Sequence, residues 1–199
     1  LHVAVADKRD EDRSDVGTGP VVERDLMAAA IGADADENPR VHRVGEFHLQ
    51  PQDEVLERPL HPEQAALAGR ILGAGVNRVV SQSCSGAHAE TMAFMTAQRS
   101  AGLHRLNDPA GDLTGPIALA TSAQPCCMCY GASIWAGIDT LLIAARAEDV
   151  MGLTEFDEGP LPADWNGELE RRGIAVRRDI LREPACEVLR AYAAHGPHY

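Results

Sequence analysis

Two short stretches hold residues whose types and spacing can do chemistry: His88-Ala89-Glu90 and Pro125-Cys126-Cys127-Met128-Cys129. Cys126 and Cys129 stand three apart, so on a helix they share one face and can reach one ion, while Cys127 points elsewhere. Two thiolates and the His88 imidazole give zinc three protein ligands and leave a fourth position for water. That is the arrangement of a catalytic site, not a closed structural one. The positive end of a helix starting at Cys126 favours thiolate over thiol there. Zinc acidifies its water, so hydroxide becomes available near neutral pH. Glu90 lies within reach of a bound ligand and can carry a proton from that water to a base and its leaving amine. Each piece alone is a weak signal: Cys-x-x-Cys has several uses, and a histidine near a helix start is commonly a cap.

These residues need elements to place them. Ser85 suits the N-cap of a helix over about 86–100, with Met92, Phe94 and Met95 in an apolar body. The apolar run 116–121 reads as a buried strand. Pro125 then suits the start of a helix that runs to about Ala136 and stops at Gly137. The run 140–145 reads as the next strand, so strand, helix and strand form a right-handed parallel crossover. Further on, 165–172 and 184–194 read as helices with a short strand over 174–176. Upstream, 65–72 reads as a hairpin turning at Ala68-Gly69-Arg70, with a helix over 63–72 as the competing reading. Gly73 and Gly75 permit a bend or a close backbone approach. The sum is an α/β layered domain over residues 61–199.

The first sixty residues read differently. A charged run, Asp7 to Asp15, leads into Gly17, Gly19 and Pro20, then a short helix over 21–31, an acidic turn and a stretch of weak alternation. Residues 1–60 are therefore set apart as an arm, an extra helix or a diverged start of the domain. The 199-residue chain carries 18 Lys+Arg against 30 Asp+Glu, a net charge of −12, and Lys8 is its single lysine. That balance argues against a nucleic-acid partner, because phosphate binding draws on Lys and Arg clusters. No apolar run is long enough for a transmembrane helix, and no secretory signal is read in the first fifteen residues, so neither a membrane nor export is expected. Five cysteines, three of them within four positions, make a poor disulfide framework and suit a reducing cytoplasm.

Together the two stretches match the His-x-Glu…Pro-Cys-x-x-Cys signature of zinc deaminases. From about Gly69 onward the chain resembles the cytidine-deaminase-like superfamily, and within it the bacterial guanine deaminases. The resemblance is carried by 75–80 (GVNRVV), 85–90 (SGAHAE), 121–135 (TSAQPCCMCYGASIW) and 155–160 (EFDEGP). It implies a three-layer α/β/α sandwich with a mixed central sheet, a Zn2+ cofactor held by His88, Cys126 and Cys129, and Glu90 as proton shuttle. Asn77 matches an asparagine that hydrogen-bonds the base, and Ala89 and Trp135 are further candidates for substrate contact. Trp135 has core or dimer packing as its alternative. Glu158 resembles the acidic residue that guanine deaminases use as a second proton carrier and base contact. A carboxylate can accept from both N1–H and the exocyclic amino group of guanine. The alternative is that Glu155, Asp157 and Glu158 form a solvated acidic loop.

The family is homodimeric, so a homodimer is expected, with His195, His198 and Tyr199 as candidates for closing a pocket, its own or the partner's. The expected reaction is hydrolysis of a nucleobase, guanine to xanthine and ammonia. The same chemistry on cytosine, cytidine, a pterin or an aminotriazine stands as the alternative. A zinc-stabilised binding module without activity is the reading from another class. One departure is evident: the apolar strand that normally precedes the asparagine has no clear counterpart, with 65–67 a shortened candidate.

Overall fold

The structure, a computed structural model, describes residues 2–7, 27, 70–113 and 115–195. Its centre is a five-stranded mixed sheet in the order β2-β1-β3-β4-β5. The strands are β1 (His2–Asp7), β2 (Arg70–Val76), β3 (Ile117–Ala123), β4 (Thr140–Ala145) and β5 (Ala175–Arg177). β1 runs antiparallel to both β2 and β3, whereas β3, β4 and β5 are mutually parallel neighbours. Six helices are described: α1 (Val79–Gln82), α2 (Ala89–Ala101), α3 (Cys127–Ala136), α4 (Ala147–Leu153), α5 (Trp165–Glu170) and α6 (Arg182–His195).

Side chains alternate across the sheet and so make two cores. Ile117, Leu119, Leu141 and Ile143 pack with Ala93, Phe94 and Ala97 of α2 and Ala136 of α3 on one face. Ala120, Leu142 and Ala144 pack with Val150 of α4 and Ala185, Cys186 and Leu189 of α6 on the other. This is the expected three-layer α/β/α sandwich, with β3 and β4 buried along nearly their whole length. Strands covered on both faces read as continuous apolar runs, which is why these two stand out in the sequence.

The N-terminal part of the sheet differs from the sequence reading. The boundary at residue 60 cuts off β1, yet His2–Asp7 pairs with both β2 and β3, and Val5 is fully buried. Residues 8–69 connect β1 to β2. Four residues of alternating valine and alanine between His2 and Asp7 give little signal, and the charged run that follows dominates any window placed over them. The expected hairpin over 65–72 is not formed as such: Arg70–Val76 is a single strand, and 65–69 lie outside the described residues. Of the expected helix over 21–31, Met27 is described, and it is helical and fully buried.

Gly73 and Gly75 sit where β2 meets α2. A Cβ on Gly75 would run into the Ala89 carbonyl oxygen and the Ala93 amide nitrogen, and one on Gly73 would come within 2.6 Å of the Ala97 nitrogen. The two glycines let α2 lie directly on the strand. That contact holds the residues at the start of α2, His88 and Glu90 among them, against the end of the sheet.

Candidate active site

The three proposed ligands are gathered by two helix starts. His88 is the N-cap of α2, with extended backbone (φ −68°, ψ 158°), and Cys126 is the N-cap of α3 (φ −63°, ψ 172°). Ser85 therefore does not cap α2. The chain between turns tightly, with the Ala87 N–H donating to the Cys84 carbonyl at 3.1 Å, and delays the helix by three residues. Thr91 secures the new start by donating its hydroxyl to the Gly86 and His88 carbonyls, at 2.5 and 2.8 Å. Pro125 likewise stands just before the cap rather than inside the helix.

The ligand atoms of His88, Cys126 and Cys129 all lie within 4.8 Å of one another, and the Cys126 Sγ is 3.5 Å from the His88 Nδ1. The donor set and its spacing fit zinc. Cys129 and its hydrogen bond to Cys126 hold the Cys126 thiol down to about 4, against the cost of burial and with help from His88. Cys129 is pushed up, first by that same hydrogen bond and then by burial, so the pair retains one proton. His88 is raised, chiefly by its contact with Cys126. A ready thiolate beside an imidazole is the chemistry a soft divalent ion requires, and binding would release the second thiol proton.

A cavity of about 330 Å³ opens on His88 and Cys126 of the triad. Its walls are Asn77, the His88-Ala89-Glu90 stretch, the end of β3 and the following turn (121–124), Cys126, and the loop from Glu155 to Glu158. The size is within the range for a small ligand. Glu90 is buried, and the loss of water around it raises its pKa. Glu158 is pushed up to about 7, first by burial and then by the negative charge on Cys126 and Glu90. Asn77 accepts the Val79 N–H at 3.0 Å through Oδ1, which fixes the rotation of its amide at the cavity wall.

Glu155 and Asp157 of the acidic loop are exposed, whereas Glu158 is half-buried and lines the cavity. The loop's backbone is docked on α3: the Cys127 N–H donates to the Glu158 carbonyl at 2.9 Å. Gly159 takes a left-handed conformation (φ +69°) beside Cys127, where a Cβ would come within 2.6 Å of the sulfur. Asp157 accepts the Gly159 N–H at 2.9 Å and closes the turn.

Trp135 is the candidate the structure moves away. It is 78% exposed and does not line the cavity. On α3 the inward face carries Cys129, Ser133 and Ala136, and a residue two positions from Ser133 projects to the opposite side. Ser122, Gln124 and Phe156 are wall residues that the sequence reading passed over. The first two looked like connectors between a strand and a proline, and Phe156 like part of an acidic loop. The backbone of His195 ends α6, while its side chain, His198 and Tyr199 lie outside the described residues.

Comparison with known proteins agrees with this geometry. Residues 60–145 match the family model of the cytidine and deoxycytidylate deaminase zinc-binding region. A guanine deaminase of Bacillus subtilis is 35% identical over 115 residues, 58% of this chain and 68% of that protein. A tRNA-specific adenosine deaminase of Buchnera aphidicola is 30% identical over 120 residues, 60% of this chain and 70% of that protein. The chain belongs to the cytidine-deaminase-like family. The deaminase fold is matched as well. The solved guanine deaminase from Nitrosomonas europaea is 45% identical with a TM-score of 0.61, over 64% of this chain and 68% of that one. A solved structure in complex with 8-azaguanine is 47% identical with a TM-score of 0.60, over 64% and 67%. Membership in the deaminase family makes the chain a zinc-dependent enzyme. Among its described residues no helix is long and apolar enough to cross a membrane.

Proposed function

We propose that this enzyme hydrolyses guanine to xanthine and ammonia, with His88, Cys126 and Cys129 holding zinc and Glu90 and Glu158 moving the protons. The observation that carries the reading is that two carboxyl groups, buried Glu90 and half-buried Glu158, line one cavity with His88 and Cys126 of the metal-binding triad. The guanine deaminases among its relatives support the choice of base. When bound, zinc supplies a water acidic enough to be deprotonated near neutral pH.

Glu90 takes the proton of the attacking water and gives it to the ring nitrogen beside the carbon that bears the amino group. Glu158, on the facing loop, accepts hydrogen bonds from the N1–H and the amino group, and passes the proton of the newly added hydroxyl to the amino group as the carbonyl forms and ammonia departs. Asn77 and the Ala89 backbone bind the base and set its angle to the metal. Water adds to carbon and ammonia leaves, so the atoms balance. Burial raises both carboxyl groups above the ordinary carboxylate range, which suits groups that must take and give protons.

The expected home is the cytoplasm, since all five cysteines are free. A homodimer completes the reading. Trp135 and Met128 lie seven residues apart on one side of α3, 78% and 37% exposed, an apolar pair that a second copy would cover. A tRNA substrate, suggested by the adenosine deaminase relative, is opposed by 30 acidic against 18 basic residues.

Ammonia release from guanine, cytosine, cytidine, adenine and an aminotriazine, each with zinc content measured, tests the assignment. Guanine is expected to exceed every other base in kcat/KM. Zinc-loaded protein that releases ammonia from another base but not from guanine would overturn the substrate. Zinc-loaded protein inert to the whole panel would favour a binding module.

A further inference from the structure

We infer that Tyr192, on α6 and outside the cavity lining, is a positioning residue for Glu158 that acts through Phe156. The inference rests on the proposed role of Glu158. The loop that carries Glu158 is secured at both ends. Thr154 donates its hydroxyl to the Val150 carbonyl at 2.7 Å and accepts the Phe156 N–H at 3.2 Å. Beyond Phe156, the Asp157–Gly159 hydrogen bond and the Cys127 N–H to the Glu158 carbonyl fix the backbone. Phe156 is the middle point. It lines the cavity, and its ring meets Tyr192 with centroids 5.6 Å apart and planes tilted by 38°. That separation and tilt fall within the range of favourable aromatic pairs.

Tyr192 is well placed to serve as a backstop because α6 is itself anchored. Ala185, Cys186 and Leu189 are buried in the core beneath the sheet. Arg182 grips both carboxylate oxygens of Asp149 on α4, the helix that leads into the loop. Loop and backstop therefore hang from one rigid pair of helices. Losing the Tyr192 ring would let Phe156 fall back from the cavity and carry Glu158, two residues on, out of line. Displacement of a catalytic group by about 1 Å is enough to slow a reaction strongly.

A double-mutant cycle in the zinc-loaded enzyme with guanine tests this. Y192L is expected to lower kcat about 10-fold with a small change in KM, while zinc content and Tm stay at the wild-type values. Y192F, which keeps the ring, is expected to restore activity. In an E158Q background Y192L should cost nothing further, because the group it positions is already disabled. If Y192L lowers Tm, Y192M, of similar volume but unbranched and better able to fill the gap, takes its place. Impaired E158Q with an independent, multiplicative loss from Y192L would overturn the positioning role alone, as would wild-type activity in Y192L. Full turnover by E158Q would sink the proposed role of Glu158 and this inference with it.

Discussion

Cys126 and Cys129 are chemically alike and three residues apart, yet their surroundings push their thiols in opposite directions. Cys126, which lines the cavity, is held down to about 4 first by its hydrogen bond with Cys129 and, against the cost of burial, by that with His88. Cys129, fully buried, keeps its proton. Glu90 sits beside them, and burial raises its carboxyl above the ordinary carboxylate range. It supplies no ligand atom to the triad, so its loss should leave the metal in place. Glu90→Gln is expected to bind zinc stoichiometrically and to lose about 10³-fold in kcat, in the span usual for a general acid–base. Metal analysis and steady-state ammonia release on the same preparation check this. Unaltered turnover in the glutamine variant would remove Glu90 from the reaction, and a zinc-free protein would make it part of the metal site instead.

The elements that hold these residues were unevenly legible in the sequence. β3, α3 and β4 stood out because a strand buried on both faces, a proline before a helix and a glycine after it are local signals. α4 was missed: seven residues starting from an arginine N-cap, with Asp149 reaching back to the Arg146 N–H at 2.8 Å, follow β4 without a break. β1 was missed because its place depends on pairing across residues 8–69, which no local window contains. In the site, the triad and Glu90 followed from spacing, whereas the exposure of Trp135 depends on which way α3 is turned on the sheet. The ion pair that ties α4 to α6 was also beyond reach, since it joins residues 33 apart. Arg182 holds Asp149 down to about 2 from an ordinary 3.8. A lowered folded-state pKa stabilises the fold above the unfolded value, near pH 4, and the benefit fades as pH falls through 2. Asp149→Asn should therefore cost about 1 kcal/mol at pH 7, given that Arg182 is partly exposed and screened. Denaturant titrations should show that difference shrinking below pH 4 and mostly gone at pH 2. A difference of the same size at pH 7 and pH 2 would assign the cost to packing rather than charge.

At the scale of the whole molecule, the two cores account for most large apolar side chains among the described residues, and the exposed ones become informative. Trp135 is the largest of them, 78% exposed on a helix whose other face holds Cys129. A tryptophan left in water forgoes a large apolar burial, and Met128 one heptad earlier on the same side forms a stripe rather than an isolated residue. Near neutral pH the net charge of −12 opposes close approach of two copies, so a dimer needs an apolar centre of this kind and should tighten as salt screens the repulsion. Trp135→Glu adds a charge to the middle of the stripe. Placed face to face in a twofold dimer it would oppose its own copy, and an isologous contact feels each substitution twice. Sedimentation at several protein concentrations should give a dimer for the wild type and a monomer, or a dimer weakened at least 100-fold, for the variant. Far-UV circular dichroism and zinc content should not change, because the side chain touches neither core nor metal. A variant that remains an equally tight dimer would place the interface on another face, and a wild type that is monomeric at every concentration would remove the dimer altogether.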